Sequence, residues 1–187
     1  MARIAIFASG RGSNALKIMD HLANKDSIQV KAILSNKRES GIVESANRMD
    51  IANLVFGRKD FYESSTVLDF LKEHNIDYLI LAGFLWLIPD NLIKAYSDKV
   101  INIHPALLPK YGGKGMYGMH VHRAVKEHKE EYSGITIHLV NENYDEGRIL
   151  LQTKTAISES DSPEEIGRKV LRLEHHFFPR VVAAYCK

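Results

Sequence analysis

Apolar runs of strand length alternate with segments of helical period through the first half of the chain. Ile4-Ala5-Ile6-Phe7-Ala8, Val30-Lys31-Ala32-Ile33-Leu34, Ile51 to Phe56, Tyr78-Leu79-Ile80-Leu81-Ala82 and Val100 to Ile103 read as five strands. The first, fourth and fifth are apolar at successive positions, as strands covered by helices on both sides must be. Between them, residues 14–23, 41–49, 62–75 and 89–96 repeat with helical spacing. This alternation predicts an α/β fold of Rossmann-like type: an open, mostly parallel twisted sheet with helices on both faces.

Farther along, the pattern changes. Pro105 to Met119, with Pro109 and glycines at 112, 113, 115 and 118, reads as a long irregular loop, either a lid over a site or a surface insertion. Ile135, Ile137 and Leu139 then alternate with Thr136, His138 and Val140, and a second β run extends from Arg148 to Ala156. A last helix opens at Ser162 as cap, with Pro163 in its first turn and Glu165 completing a capping box. Ile166, Val170, Leu173 and Phe177 form its expected buried stripe, and Pro179 is expected to bend or end it. No repeat, low-complexity tract or linker divides the 187 residues, which fit one domain spanning 1–187.

Composition narrows the function classes. Lys and Arg total 25 against 23 Asp and Glu, so the net charge of +2 arises from mixed signs and gives no basic field for nucleic acid or an anionic membrane. The opening Met1 to Ala8 is too short for a signal peptide or a membrane span, which implies a cytoplasmic chain. The one cysteine, Cys186, cannot form an internal disulfide.

Three constellations carry candidate chemistry. Asn102-Ile103-His104-Pro105 places a carboxamide and an imidazole where a buried strand runs out into the long loop, at the sheet end where open α/β folds bind ligands. An imidazole there can move a proton or stabilise charge, and an amide can donate to an oxyanion. Ser9-Gly10-Arg11-Gly12-Ser13-Asn14 comes directly after the first strand and opens the first helix, a place suited to a phosphate. The acidic ribose ligand of a dinucleotide site is missing, since Ser35-Asn36-Lys37-Arg38 ends the second strand, so a monophosphate fits better than NAD. A tight turn with Ser13 and Asn14 capping the helix is the alternative. Asn141-Glu142-Asn143-Tyr144-Asp145-Glu146-Gly147 is a polar loop in which Asp145 could pair with His104 or hold a water. His120 and His122 have a spacing that can hold a metal, but no Cys, Asp or Glu stands at a supporting interval and no metal is expected. His138 reads as a sheet histidine or as one facing the cleft behind His104, and at least one of His175 and His176 as a packing residue.

Gly12-Ser13-Asn14, Leu81-Ala82-Gly83-Phe84, the run from Asn102 to Pro109 and Asp145-Glu146-Gly147 resemble, in order and spacing from Arg3 to about Phe178, the phosphoribosylglycinamide formyltransferase family. The resemblance implies formyl transfer from 10-formyltetrahydrofolate, a co-substrate, to glycinamide ribonucleotide, without a metal, by a monomer or weak homodimer. By the same resemblance Asn102, His104 and Asp145 are catalytic, and Gly12, Ser13, Asn14 and Glu174 bind the ribonucleotide. The folate would meet Leu85, Trp86, Leu87 and Ile88 on one side and Asn141, Glu142, Asn143, Tyr144 and Asp145 on the other, together with Asn102. Lys59 aligns with an arginine that meets folate in some relatives, and Trp86 replaces an arginine that many carry. A formyltetrahydrofolate hydrolase usually adds an amino-terminal regulatory domain, and a methionyl-tRNA formyltransferase a carboxy-terminal RNA-binding one. A non-catalytic phosphate- or nucleotide-binding module is the alternative outside the enzymes.

Overall fold

The computed structural model describes residues 1–187. β1 (Ala2–Phe7), β2 (Ile28–Ser35), β3 (Ala52–Val55), β4 (Tyr78–Leu81) and β5 (Val100–His104) run parallel, whereas β6 (Tyr132–Leu139) and β7 (Ile149–Ala156) continue the sheet antiparallel. The seven strands form one sheet in the order β3-β2-β1-β4-β5-β6-β7. Successive strand residues point to opposite faces. Ile4, Ile6 and Ala8 therefore enter one apolar core with Ile80, Ile101 and Ile103, while Ala5 and Phe7 enter the other with Leu79, Leu81 and Val100.

The first core is covered by α1 (Ser13–Leu22), α6 (Met119–Glu127) and α7 (Pro163–Tyr185), the second by α3 (Arg58–Tyr62), α4 (Thr66–Glu73) and α5 (Asp90–Ala95). α2 (Gly41–Arg48) packs beside β2 and β3. The chain winds from β1 out to β3 and then returns to β4 on the other side of β1, leaving a crevice at the carboxyl ends of β1 and β4.

Several elements differ from the sequence expectation for identifiable reasons. The helical period over 62–75 is realised only as α4, from Thr66 to Glu73, and a separate short helix, α3, ends at Tyr62; the Ser64 hydroxyl accepts from the Thr66 N–H at 3.2 Å and the Ser65 hydroxyl donates to Asp69 at 2.5 Å, which starts α4 afresh. α6 begins where the expected loop ends, with Val121 and Val125 buried one turn apart. α7 opens on the expected capping box, Glu165 N–H to Ser162 Oγ at 3.2 Å and Ser162 N–H to Glu165 at 2.8 Å. It does not end or break at Pro179. The proline is buried and Val182 and Cys186 beyond it are fully enclosed, so packing outweighs one missing helical hydrogen bond. The buried stripe is Ile166, Val170, Phe178 and Val182, with Leu173 and Phe177 half-buried at its margin. Glu174 falls on the i, i+4 line of that stripe.

Candidate active site

β5 carries Asn102 and His104 on one face, two residues apart, and its antiparallel pairing with β6 sets Asn102 opposite His138 and His104 opposite Thr136. His138 is 1% exposed. Its Nδ1 lies 2.8 Å from the Leu139 carbonyl, which fixes the proton there, and its Nε2 accepts from the Asn102 amide at 3.1 Å. One N–H of Asn102 is thus held and the other is free. Thr136 pins the chain that leaves His104: its hydroxyl donates to the Ala106 carbonyl at 2.7 Å and accepts from the Leu108 N–H at 3.1 Å.

Asp145 completes the group from the loop between β6 and β7. Its φ of 58° is a left-handed conformation that aspartate tolerates better than most residues. Gly147 brings the loop back against β6 so closely that a Cβ would lie 1.7 Å from the Leu139 carbonyl oxygen. Asp145 Oδ2 accepts from the Gly113 N–H at 2.9 Å and lies 3.5 Å from His104 Nδ1, while Oδ1 lies 3.6 Å from His138 Nε2. His104 Nε2 donates to the Tyr111 carbonyl at 2.7 Å. The 105–119 loop is therefore fastened to both the imidazole and the carboxylate.

Burial lowers the His104 pKa below the ordinary histidine value, outweighing Asp145 and the Tyr111 carbonyl, which raise it; the His138 ring lowers it further. For Asp145, burial opposes ionisation, but the contact with His138, the charge of His104 and the Gly113 N–H together hold it below the usual carboxylate range. The resting arrangement at neutral pH is an anionic carboxylate between two imidazoles, with His104 neutral. It is poised to stabilise a cation on His104 Nδ1 when negative charge develops nearby.

These groups open onto a cavity of about 520 Å³ at the carboxyl ends of β4 and β5. On the α1 and α7 side it is lined by Asn14 and Glu174, whose side chains meet at 2.5 Å, Asn14 Nδ2 donating to Glu174. Burial raises the Glu174 pKa, and the Asn14 bond only partly offsets it. Asn14 Oδ1 has no partner. Leu85, Trp86, Leu87 and Ile88 line the wall after β4, and Asn143, Tyr144 and Asp145 the wall after β6. Gly113 to Gly118 line the cavity as well.

Other expected site residues stand apart. Gly12 and Ser13 are outside the cavity lining, at the start of α1. Gly12 has φ 75°, and a Cβ there would meet Ile42 at 2.6 Å. Neither Ser13 nor Asn14 caps the helix with its side chain. Asn141 and Glu142 precede the lining segment, and Asn141 Oδ1 accepts from the Asn143 N–H at 3.0 Å. Lys59 is exposed and outside the cavity. Its neighbour Arg58 instead sits 4.9 Å above the Trp86 ring, against which Tyr62 also stacks. Sequence reasoning left His138 and Thr136 without a definite place. The signal was available in their alternation on β6, but their partners depend on the β5–β6 register. No group of three or more His, Cys, Asp or Glu side chains is arranged to hold a metal ion, and no helix is long and apolar enough to cross a membrane.

The chain belongs to the formyl transferase family: the family model described as formyl transferase matches residues 2–182. Within the family it is similar to phosphoribosylglycinamide formyltransferases over nearly its whole length. The Bacillus subtilis protein of that name is 34% identical over 97% of this chain and 93% of its own. The chloroplastic one of Arabidopsis thaliana is 43% identical over 99% of this chain, which spans 65% of that protein's length. Among solved structures, glycinamide ribonucleotide transformylase 1 from Geobacillus kaustophilus superposes with a TM-score of 0.90 at 31% identity, with both chains covered completely.

Proposed function

We propose that the chain transfers the formyl group of 10-formyltetrahydrofolate to the amine of glycinamide ribonucleotide, giving formylglycinamide ribonucleotide and tetrahydrofolate in de novo purine synthesis. The observation that carries this reading is the meeting of Asn102, His104 and Asp145 on the floor of a cavity that Asn14 and Glu174 also line. A site for a one-carbon donor and a site for a ribonucleotide then share one crevice. The ribonucleotide phosphate lies at the start of α1, where the first backbone N–H groups have no helical partner, and Glu174 meets the ribose. The pteridine takes the slot between Leu85 to Ile88 and Asn143 to Asp145.

The amine nitrogen attacks the formyl carbon and a new C–N bond forms as the carbonyl pair moves onto oxygen. The free N–H of Asn102 donates to that oxyanion, and the positive charge of protonated His104 stabilises it through space. A proton taken up from solvent at His104 Nδ1 before the attack, beside the Asp145 carboxylate, supplies the positive charge and stays on the imidazole through the turnover. The pair on oxygen then returns, the bond from carbon to the folate nitrogen breaks, and the proton lost by the amine reaches that nitrogen through a water held by Asp145. No redox partner or metal enters this balance.

Release of tetrahydrofolate from 10-formyltetrahydrofolate, followed with and without the ribonucleotide, tests the reading. Release that requires the ribonucleotide and collapses in His104→Ala is the expected result. Release without it would identify a hydrolase, and none under either condition would leave a binding module.

A further inference from the structure

One buried imidazole in the cavity wall takes no part in the formyl transfer. His122, in the first turn of α6, is 6% exposed and lines the cavity, yet its Nδ1 has no hydrogen-bond partner. Buried polar atoms are normally paired, because an unpaired one loses its bond to water and gains nothing. Its seat is shaped by Gly167 in the second turn of α7. A Cβ there would lie 3.0 Å from His122 Cδ2 and 3.3 Å from Nε2, tighter than side chains ordinarily pack. Glycine inside a helix is unfavourable compared with alanine. Two independent concessions, a weakened helix turn and an unpaired ring nitrogen, thus converge on one polar side chain facing the crevice.

The place of the ring suggests its use. Gly167 precedes Glu174 by about two helical turns on α7, and the charge of His104 is near enough to act on His122. The imidazole therefore shares one cavity with the reacting group and with Asn14 and Glu174. Burial first, and then His104, hold its pKa below the ordinary histidine value. At neutral pH it presents one N–H and one lone pair, and it leaves the cationic role to His104. We infer that His122 is a specificity residue for the acceptor, its imidazole hydrogen-bonding the amide that joins the ribose to the reacting amine. An amide offers both a donor and an acceptor, so either tautomer finds a complement. This inference rests on the ribonucleotide reading of the cavity.

The test compares His122→Phe, which keeps a ring and removes both nitrogens, with His122→Asn, which keeps a polar atom near the position of Nδ1. In His122→Phe the KM for glycinamide ribonucleotide should rise about tenfold or more, the loss expected for one hydrogen bond. The KM for 10-formyltetrahydrofolate should stay within about twofold, and His122→Asn should recover part of the acceptor affinity. An unchanged acceptor KM, or equal losses for both substrates, would overturn the assignment. Wild-type turnover that needs the ribonucleotide, measured alongside, separates failure of this inference from failure of the reading beneath it. If His122→Phe does not fold, the wild-type protein labelled with ¹⁵N in its histidines is titrated with glycinamide ribonucleotide alone. A shift of the His122 ring nitrogens supports the contact, and resonances that stay in place at saturation refute it.

Discussion

At the scale of residues, the site works by division of labour among groups of the same chemical type. His138 is held by the Leu139 carbonyl so that its Nε2 aims the Asn102 amide, whereas His104 faces the Asp145 carboxylate through Nδ1 and can become cationic. Each of Asn102→Ala and His104→Ala should lower kcat by roughly a hundred- to a thousandfold, the range for losing one oxyanion donor. Asp145→Asn carries a more specific expectation. The carboxylate raises the His104 pKa against the effect of burial, so its neutralisation leaves burial opposed only by the Tyr111 carbonyl and moves that pKa lower. Less His104 is then protonated at any given pH, and the decline of kcat/KM with rising pH should begin at lower pH than in the wild type. A pH profile with its descending limb unmoved would show that Asp145 does not support the imidazolium. Asn102 and His104 were legible in the sequence, because a polar pair at the end of an apolar strand is visible from spacing alone. The engagement of His138 and Thr136 was not, since it depends on which residue of β6 pairs with which residue of β5.

At the scale of elements, the geometry depends on a few places where backbones come closer than a side chain permits. Gly147 returns the Asp145 loop onto β6, and Gly134 lies where a Cβ would be 2.1 Å from the Thr153 carbonyl oxygen on β7. Gly147→Ala should destabilise the fold by about 3 kcal/mol, the upper range for overpacking against atoms that cannot retreat. It should also displace Asp145, so kcat falls even where the variant remains folded. Thermal unfolding and turnover of one preparation measure both effects. The start of α7 offers a contrast. Ser162→Ala removes one acceptor from an intact capping box and should cost about 1 kcal/mol, with KM for the ribonucleotide unchanged because Glu174 lies three turns farther along. That capping box was readable directly from sequence. The persistence of the helix through Pro179 was not, because the local rule for proline is overridden by burial of Val182 and Cys186 against a core assembled from distant strands.

At the scale of the whole molecule, the buried titratable groups make stability depend on pH in opposing directions, and the sign differs with the group. His21, His104, His122 and His175 all have pKa values lowered mainly by burial. Below the ordinary histidine value of about 6.5 the unfolded chain takes up protons that the folded chain refuses, so each favours unfolding as the pH falls through that value. Glu174 acts the other way. Its raised pKa means that the folded chain keeps a proton the unfolded chain has lost, a contribution present in acid and lost as the pH rises through the folded value. Asp145, with its lowered pKa, enters only in stronger acid, below the ordinary carboxylate range. Four histidines against one glutamate predict that the melting temperature falls between about pH 7 and about pH 5. His122→Asn should flatten that slope and Glu174→Gln should steepen it, since one removes a group that favours unfolding in acid and the other removes its counterweight. Parallel slopes in wild type and both variants would place the pH dependence elsewhere in the chain. The same burial that sets these signs lowers the local dielectric around His104 and Asp145, which is why a site able to strengthen an oxyanion contact also makes the folded chain sensitive to acid.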